Sequence, residues 1–150
     1  MTTALAGKVV ARRVENSIAG TVEEWGSSDV WVKPEAILEV CRFLKEDSAL
    51  RFDFLVSVSA VDYIEYFEVV YHLLSMTSNH SVVLKAKCWG REAPTVPSVT
   101  GVWQGADFQE REVYDLMGVR FSGHSNLKRL MLWEGFPGYP QRKDYLEAPR

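Results

Sequence analysis

Cysteine is scarce in this chain of 150 residues, and its scarcity excludes several classes of protein. The two cysteines, Cys41 and Cys88, lie far apart in the sequence, and neither belongs to a C-x-x-C pair. A disulfide framework or a thiolate-bound cluster needs more cysteines at closer spacing. Both cysteines stand in apolar patterns, so we predict that they are core residues of a protein in a reducing compartment.

Long apolar runs and an excess of one charge are missing as well. No stretch approaches the roughly 20 apolar residues that span a bilayer, and the N-terminus lacks the apolar core of a signal peptide. The net charge is only −3, which disfavours binding to nucleic acid or to an anionic membrane. We therefore expect a soluble chain that reaches a membrane only through other subunits.

Nucleotide-binding loops and metal-ligand sets are also absent from the sequence. There is no G-x-G-x-x-G motif and no Walker loop. The histidines His72, His80 and His124 lack the i,i+4 spacing or cysteine partners of a usual metal site; His72 is predicted in a strand and His80 in a turn. We expect no catalytic, cofactor-binding or metal-binding residue in this chain.

Hydrophobic periodicity predicts one domain over residues 1–150. The predicted elements are, in order, a helix over 4–22, a strand over 30–32, a helix that begins at Pro34, strands over 52–61, 66–76 and 81–89, a loop over 94–97 and a helix over 103–117 that ends at Gly118. This order is typical of an α/β (α+β) fold: two layers, with a mixed sheet and helices on one side. The predicted core includes Leu55, Val69, Tyr71, Leu84, Cys88 and Trp103.

Charge is concentrated in the last predicted helix. Glu110, Arg111 and Glu112 point in directions about 100° apart, so they cannot all occupy one solvent-facing side. Arg111 and Asp115 are four residues apart and can pair along the helix, whereas Glu112 and Asp115 crowd each other and need a nearby cation. The alternative is a solvated helix with one surface ion pair, worth at most about 1 kcal/mol. Arg111 is predicted to be the charge on which this helix depends most.

The order of these charges resembles the signature of a known family. After the run Glu110–Leu116 come His124 and then Lys128, Leu130 and Met131, and the chain closes with Gly138, Pro140, Arg142, Lys143, Asp144 and Tyr145. This pattern is similar to the C subunit of the proton-pumping NADH–quinone oxidoreductase (respiratory complex I). With further matches at 53–55, 61–62, 70–72 and 98–100, the resemblance covers most of the chain from about residue 30. Ser125 and Gln141 depart from it, where the family usually has Pro and Leu.

The resemblance implies a non-catalytic subunit of the peripheral arm, on the cytoplasmic face of the bacterial inner (plasma) membrane. It implies packing against the large quinone-site subunit, while NAD, flavin mononucleotide, iron–sulfur clusters and quinone bind to other subunits. The implied motif and interface residues are Glu110, Arg111, Glu112, Asp115, Arg120, His124, Lys128, Arg129, Arg142, Lys143 and Asp144.

Residues 120–150 are predicted to form an extended tail that docks on a partner. This segment has little core-forming sequence of its own, yet it contains the potential anchors Arg120, Trp133, Phe136, Tyr139, Arg142 and Tyr145. Two alternatives stay open at this point. One is the equivalent subunit of a membrane-bound hydrogenase, a formate hydrogenlyase or a ferredoxin-fed plastid-type complex; the other is a free-standing soluble binding module.

Overall fold

The computed structural model describes residues 1–146, which form eight strands and three α-helices. The elements are β1 (Thr3–Ala4), α1 (Gly7–Ser17), β2 (Val22–Trp25), β3 (Asp29–Val32), α2 (Ile37–Glu46, preceded by a 3-10 turn over Pro34–Ala36), β4 (Phe54–Asp62), β5 (Tyr66–Ser75), β6 (His80–Trp89), β7 (Thr95–Pro97), α3 (Ala106–Met117) and β8 (Arg120–Ser122). Pro34 opens the 3-10 turn because its missing N–H would have no partner there. From His124 to Leu146 the chain forms no further helix or strand.

A mixed sheet with the strand order β2-β3-β6-β5-β4 organises the domain, and β1 pairs with β6 beside this path. Strands β4, β5 and β6 form an antiparallel meander, whereas β1 and β3 run parallel to β6. Strands β7 and β8 form a separate parallel pair. This arrangement confirms the predicted α+β class with a mixed sheet.

One face of the sheet supplies the core. Buried side chains of α1, α2 and α3 join the inward-facing residues of the sheet in a single hydrophobic cluster. All six predicted core residues are buried there: Leu55, Val69, Tyr71, Leu84, Cys88 and Trp103. The opposite face is partly polar, because side chains alternate between the two faces of a strand. On that face the Trp31 indole Nε1 donates to the Glu68 carboxylate at 3.0 Å.

Three predicted elements differ from the structure. The first helix ends at Ser17 rather than at residue 22, because Gly20 adopts a φ of +79° and Val22 begins β2. The last helix begins at Ala106, since the amides of Val102 and Trp103 donate to the Val99 carbonyl in a preceding turn. The predicted loop over 94–97 contains β7.

Candidate functional site

Glu110 of α3 points into the core. Its side chain is fully buried, the Ser98 hydroxyl donates to its carboxylate at 2.8 Å, and the Val99 amide donates to it at 3.0 Å. Burial raises the pKa of Glu110 to about 7, although these two hydrogen bonds act in the opposite direction. Glu110 thus fastens α3 to the loop at residues 98–100.

Arg111, also on α3, contacts the backbone of the tail. Its Nε and Nη2 atoms donate to the carbonyls of Lys128 and Arg129 at 3.3 and 3.2 Å, and only 8% of the residue is exposed. The guanidinium also lies 5.5 Å from the centre of the Phe108 ring. The expected pair with Asp115 is wrong, because the chain folds back over α3 and offers Arg111 carbonyl groups instead.

The carboxylate of Asp115 binds the backbone of the tail. It is fully buried, and its Oδ2 atom accepts hydrogen bonds from three successive amides, those of Leu130, Met131 and Leu132, at 3.3, 2.8 and 3.0 Å. Arg129 Nη1 lies 3.1 Å from Oδ1 and is the cation that the sequence required beside Asp115. Burial alone would raise the pKa of Asp115, but the three amides and Arg129 outweigh it and lower the pKa.

His124 fixes the beginning of the tail to the first turn of α3. Its buried ring places Nε2 at 3.0 Å from Asp107 Oδ1 and 3.2 Å from the Asp107 carbonyl oxygen. The Asn126 amide donates to Nδ1 at 3.0 Å, so Nδ1 is an acceptor and Nε2 is the nitrogen available to donate. Ser125, one of the two departures from the family pattern, is exposed between them.

A second cluster fastens the end of the tail to the meander. Arg91 binds Asp62 through two hydrogen bonds of 2.8 Å and also contacts Asp144 at 2.9 Å. The Lys143 amide donates to the same Asp62 carboxylate at 2.9 Å. The Arg91 guanidinium holds the pKa of Asp62 well below its usual range. Sequence reasoning missed Arg91, whose only signal is its place just after the strand that ends at Trp89.

Arg142 inserts between the tail and the end of α3. Its Nε donates to the Met117 carbonyl at 2.6 Å and its Nη1 to the Arg91 carbonyl at 2.9 Å. The guanidinium lies 4.9 Å from the centres of both the Phe67 and Tyr139 rings. Gly118 ends α3 as predicted, with a φ of +75°, and a Cβ there would come within 2.5 Å of Arg142 Nη2. The close approach of Arg142 therefore needs glycine on steric grounds as well.

The remaining motif charges face solvent. Glu112, Arg120 and Lys128 are exposed, and none of them forms a salt bridge with another residue of the range 1–146. Among the tail aromatics only Trp133 is largely exposed, at 64%. The predicted aromatic anchors of the tail are therefore not all exposed. The half-buried aromatics pack on one another and on Arg129 and Arg142; they are Phe136, Tyr139 and Tyr145.

The other histidines serve the fold. His80 begins β6 instead of lying in a turn, is buried, and has its Nε2 atom 2.6 Å from the Leu50 carbonyl oxygen. His72 lies in β5 as predicted and is exposed. Within residues 1–146 no three His, Cys, Asp or Glu side chains are grouped as metal ligands. None of the helices in that range is both long and apolar enough to cross a bilayer.

The sequence of this chain matches a known protein family. The profile described as "Respiratory-chain NADH dehydrogenase, 30 Kd subunit" matches residues 30–150. The chain is 48% identical over 136 residues to the second form of the NADH-quinone oxidoreductase C subunit of Rhizobium meliloti (strain 1021), covering 86% of this chain and 74% of that protein. It is 44% identical over 132 residues to the NADH-quinone oxidoreductase C subunit of Roseiflexus sp. (strain RS-1), covering 86% and 75%.

The fold also matches a solved structure. A chain of the membrane-bound sulfane sulfur reductase, an archaeal respiratory membrane complex, superposes with a TM-score of 0.77 over 93% of this chain and 85% of that chain. At 23% sequence identity this likeness concerns the fold alone. The profile match over residues 30–150 spans the charged motif on α3 and the tail that it holds. The chain therefore belongs to the family of the 30 Kd subunit of respiratory-chain NADH dehydrogenase.

Proposed function

We propose that this chain is a cofactor-free, architectural subunit of the peripheral arm of a proton-translocating NADH–quinone oxidoreductase. In this proposal it supports the large quinone-site subunit on the cytoplasmic face of the membrane, while other subunits bind NAD, flavin mononucleotide, the iron–sulfur clusters and quinone. The relatives from Rhizobium meliloti and Roseiflexus support the NADH-linked complex over a hydrogenase-type one. Their shared name also supports a role inside a complex over a free-standing module.

One observation carries the architectural role: the buried charges of the family motif are used within the chain. Glu110 holds the loop before α3, and Asp115 holds three amides of the tail. Neither carboxylate lines an open cleft, and each already has the donors it needs. Acid–base chemistry requires a group within hydrogen-bond reach of a substrate, whereas these two carboxylates already bind the Ser98 hydroxyl, the Arg129 guanidinium and backbone amides.

Because these buried charges bind groups within the chain, the tail has a fixed conformation. Within residues 120–146 the groups that bind α3 include the side chains of Arg129 and Arg142 and the amides of residues 130–132, and several large side chains remain outside. Trp133 and Met131 are each 64% exposed, and Lys128 and Arg120 are exposed as well. Tryptophan and arginine are the residues that most often anchor interfaces. We infer that this outer side of the tail contacts the large subunit.

Trp133→Ala tests the docking without disturbing the fold. Because Trp133 is mostly exposed, the free energy of unfolding should change by less than about 0.5 kcal/mol. Retention of the subunit in the purified complex should fall by a factor of roughly 30 if Trp133 is an anchor worth about 2 kcal/mol. Trp25→Ala is the matched control, since Trp25 is 54% exposed on β2, in a different part of the chain.

Deleting residues 133–150 is the stronger form of the same test. The domain should stay folded, whereas the truncated chain should fail to join the complex. Quinone reductase activity per assembled complex should be unchanged in every variant, because the chain contributes no reacting group. A Trp133→Ala subunit that is retained as well as the Trp25→Ala subunit would refute docking through the tail. A fully assembled complex with slow turnover would refute the architectural role.

A further inference from the structure

Strand β4 is one edge of the sheet, because no strand within residues 1–146 pairs with it on the side away from β5. Amides along an antiparallel strand alternate between the two sides. The Val58 amide points away from β5 and donates to the Gln109 side-chain oxygen at 2.6 Å, whereas the Tyr63 amide donates into the hairpin to Tyr66. Ala60 lies two residues beyond Val58, so its amide and carbonyl also face outward, and no residue in the range 1–146 pairs with them.

Two grooves lie beside strand β4. A groove of about 240 Å³ lies between Ser57–Ala60 of β4 and the side of α3, with Glu112 and Leu116 among its lining residues. A second groove of about 620 Å³ lies beside Asp53–Leu55 and the loop over 100–105 that leads into α3. Both grooves use β4 as one wall. Each groove therefore gives access to part of β4 from outside the sheet.

The amino-acid composition of β4 favours pairing with a further strand. Proteins usually protect a free edge with lysine, proline or a covering element. Strand β4 contains neither lysine nor proline, and Phe54 and Val56 are 47% and 51% exposed on it. Helix α3 flanks β4 at Ser57–Ala60, and the flexible side chain of Gln109 is the α3 group that meets the Val58 amide.

We propose that the free edge of β4 binds an extended segment of another subunit, which adds a strand to this sheet. The inference rests on the proposed role within a complex. A carbonyl of the incoming segment replaces Gln109 Oε1 at the Val58 amide, and Ala60 supplies the next donor and acceptor. Alternate side chains of the segment pack near Phe54 and Val56.

The charge on the groove wall indicates which kind of segment binds beside β4. Glu112 is an exposed carboxylate on the groove wall with no salt bridge to any described residue. An apolar segment with a lysine or arginine opposite Glu112 neutralises it. A second copy of this chain would bring an identical acidic wall to the same contact, because a twofold interface joins like surfaces. The preferred occupant is therefore a basic, extended segment of a different subunit.

Residue-resolved hydrogen exchange tests this strand addition. In the isolated full chain the Ala60 amide should exchange fast, whereas Ser59, whose amide faces β5, should already be protected and serves as an internal control. In the assembled complex the protection of Ala60 should rise by roughly 10- to 100-fold, because a strand hydrogen bond must then open before exchange. Docking through side chains alone would leave the exchange of the Ala60 amide fast.

Ala60→Pro provides the matching variant, since proline removes the outward amide of residue 60 and leaves the ladder to β5 intact. The control is Ala60→Val, which enlarges the side chain and keeps the amide. Incorporation into the complex should fall about tenfold for proline and change little for valine. If Ala60→Pro fails to fold, the exchange measurement on the wild-type chain decides.

The outcomes separate this inference from the proposed function. A chain that never copurifies with the complex refutes the proposed function. A chain that copurifies while Ala60 remains as fast as in isolation refutes strand addition alone. Protection of Ala60 that appears in the isolated chain at high concentration, together with dimerisation, refutes the heterologous segment and assigns the edge to a second copy.

Discussion

Asp115→Asn tests whether one buried carboxylate holds the tail to α3. The substitution preserves shape and removes charge. The wild-type side chain uses Oδ2 for three backbone amides and Oδ1 for Arg129. Asparagine has one acceptor oxygen, so its NH2 group must face either the amides or the guanidinium, all of which are donors. Either orientation leaves buried donors unpaired.

The expected cost follows from these contacts. Breaking a buried ion pair by removing one partner costs about 3–5 kcal/mol, and each hydrogen bond to a charged group contributes about 1.5–3 kcal/mol. Arg129 keeps hydrogen bonds to the Phe136 and Gly138 carbonyls, and 17% of its side chain is exposed, so the lower end applies. We expect a loss of about 3 kcal/mol at neutral pH.

Urea unfolding of the purified chain, followed by tryptophan fluorescence, measures this loss. The matched control is Glu112→Gln, which neutralises an exposed carboxylate on the same helix and should change the free energy by less than about 0.5 kcal/mol. The lowered pKa of Asp115 means that its contribution is present above about pH 3.8 and disappears as the pH falls through the folded-state pKa. An Asp115→Asn chain as stable as the Glu112→Gln chain at pH 7 would refute the reasoning.

Three further changes probe other contacts of the motif and tail. The wild-type free energy of unfolding should fall by about 3 kcal/mol between pH 4.5 and 7, because folded Glu110 holds its proton more tightly than the unfolded chain does. The free energy of unfolding of the Glu110→Gln chain, measured by urea titration, should stay constant over that pH range. A pH dependence as steep as that of the wild type contradicts this. Arg111→Met removes the donors to two tail carbonyls and should cost about 2 kcal/mol. It should lower quinone reductase activity through lost assembly, and slower turnover per complex would contradict that. Arg142→Met should speed unfolding in stopped-flow measurements without slowing folding, since the tail closes late; slower folding would place the tail in the nucleus.

The central sheet could be predicted because its strands carry a local signal. The predicted ranges 52–61, 66–76 and 81–89 differ from β4, β5 and β6 by two residues or fewer at each end. In β6 Lys85 and Lys87 alternate with buried Leu84 and Ala86, a period that no helix shares. The first helix was predicted over 4–22, with Gly20 as its end, from apolar residues at helical spacing, whereas the helix ends at Ser17. Val22 pairs with Val32 in β3, a contact that local spacing does not indicate.

The site could be predicted only in part, for a similar reason. The density of charge on α3 indicated that some of it turns inward, and Glu110 and Arg111 do so while Glu112 stays exposed. The partners could not be predicted. Helical spacing suggested a pair between Arg111 and Asp115, yet Asp115 binds Arg129, 14 positions downstream. That choice depends on the path of an irregular tail, which no periodicity encodes.

The contacts of Asp62 have a consequence for the timing of assembly. Arg91 and the Lys143 amide reach this carboxylate across 29 and 81 positions of the chain. Contacts of such span form only after the meander has paired, because closing so long a loop earlier is opposed by chain entropy. A nascent or partly folded chain thus has no ordered tail to offer. The sequence separation within one ion-pair cluster therefore makes completion of the sheet a prerequisite for an ordered tail.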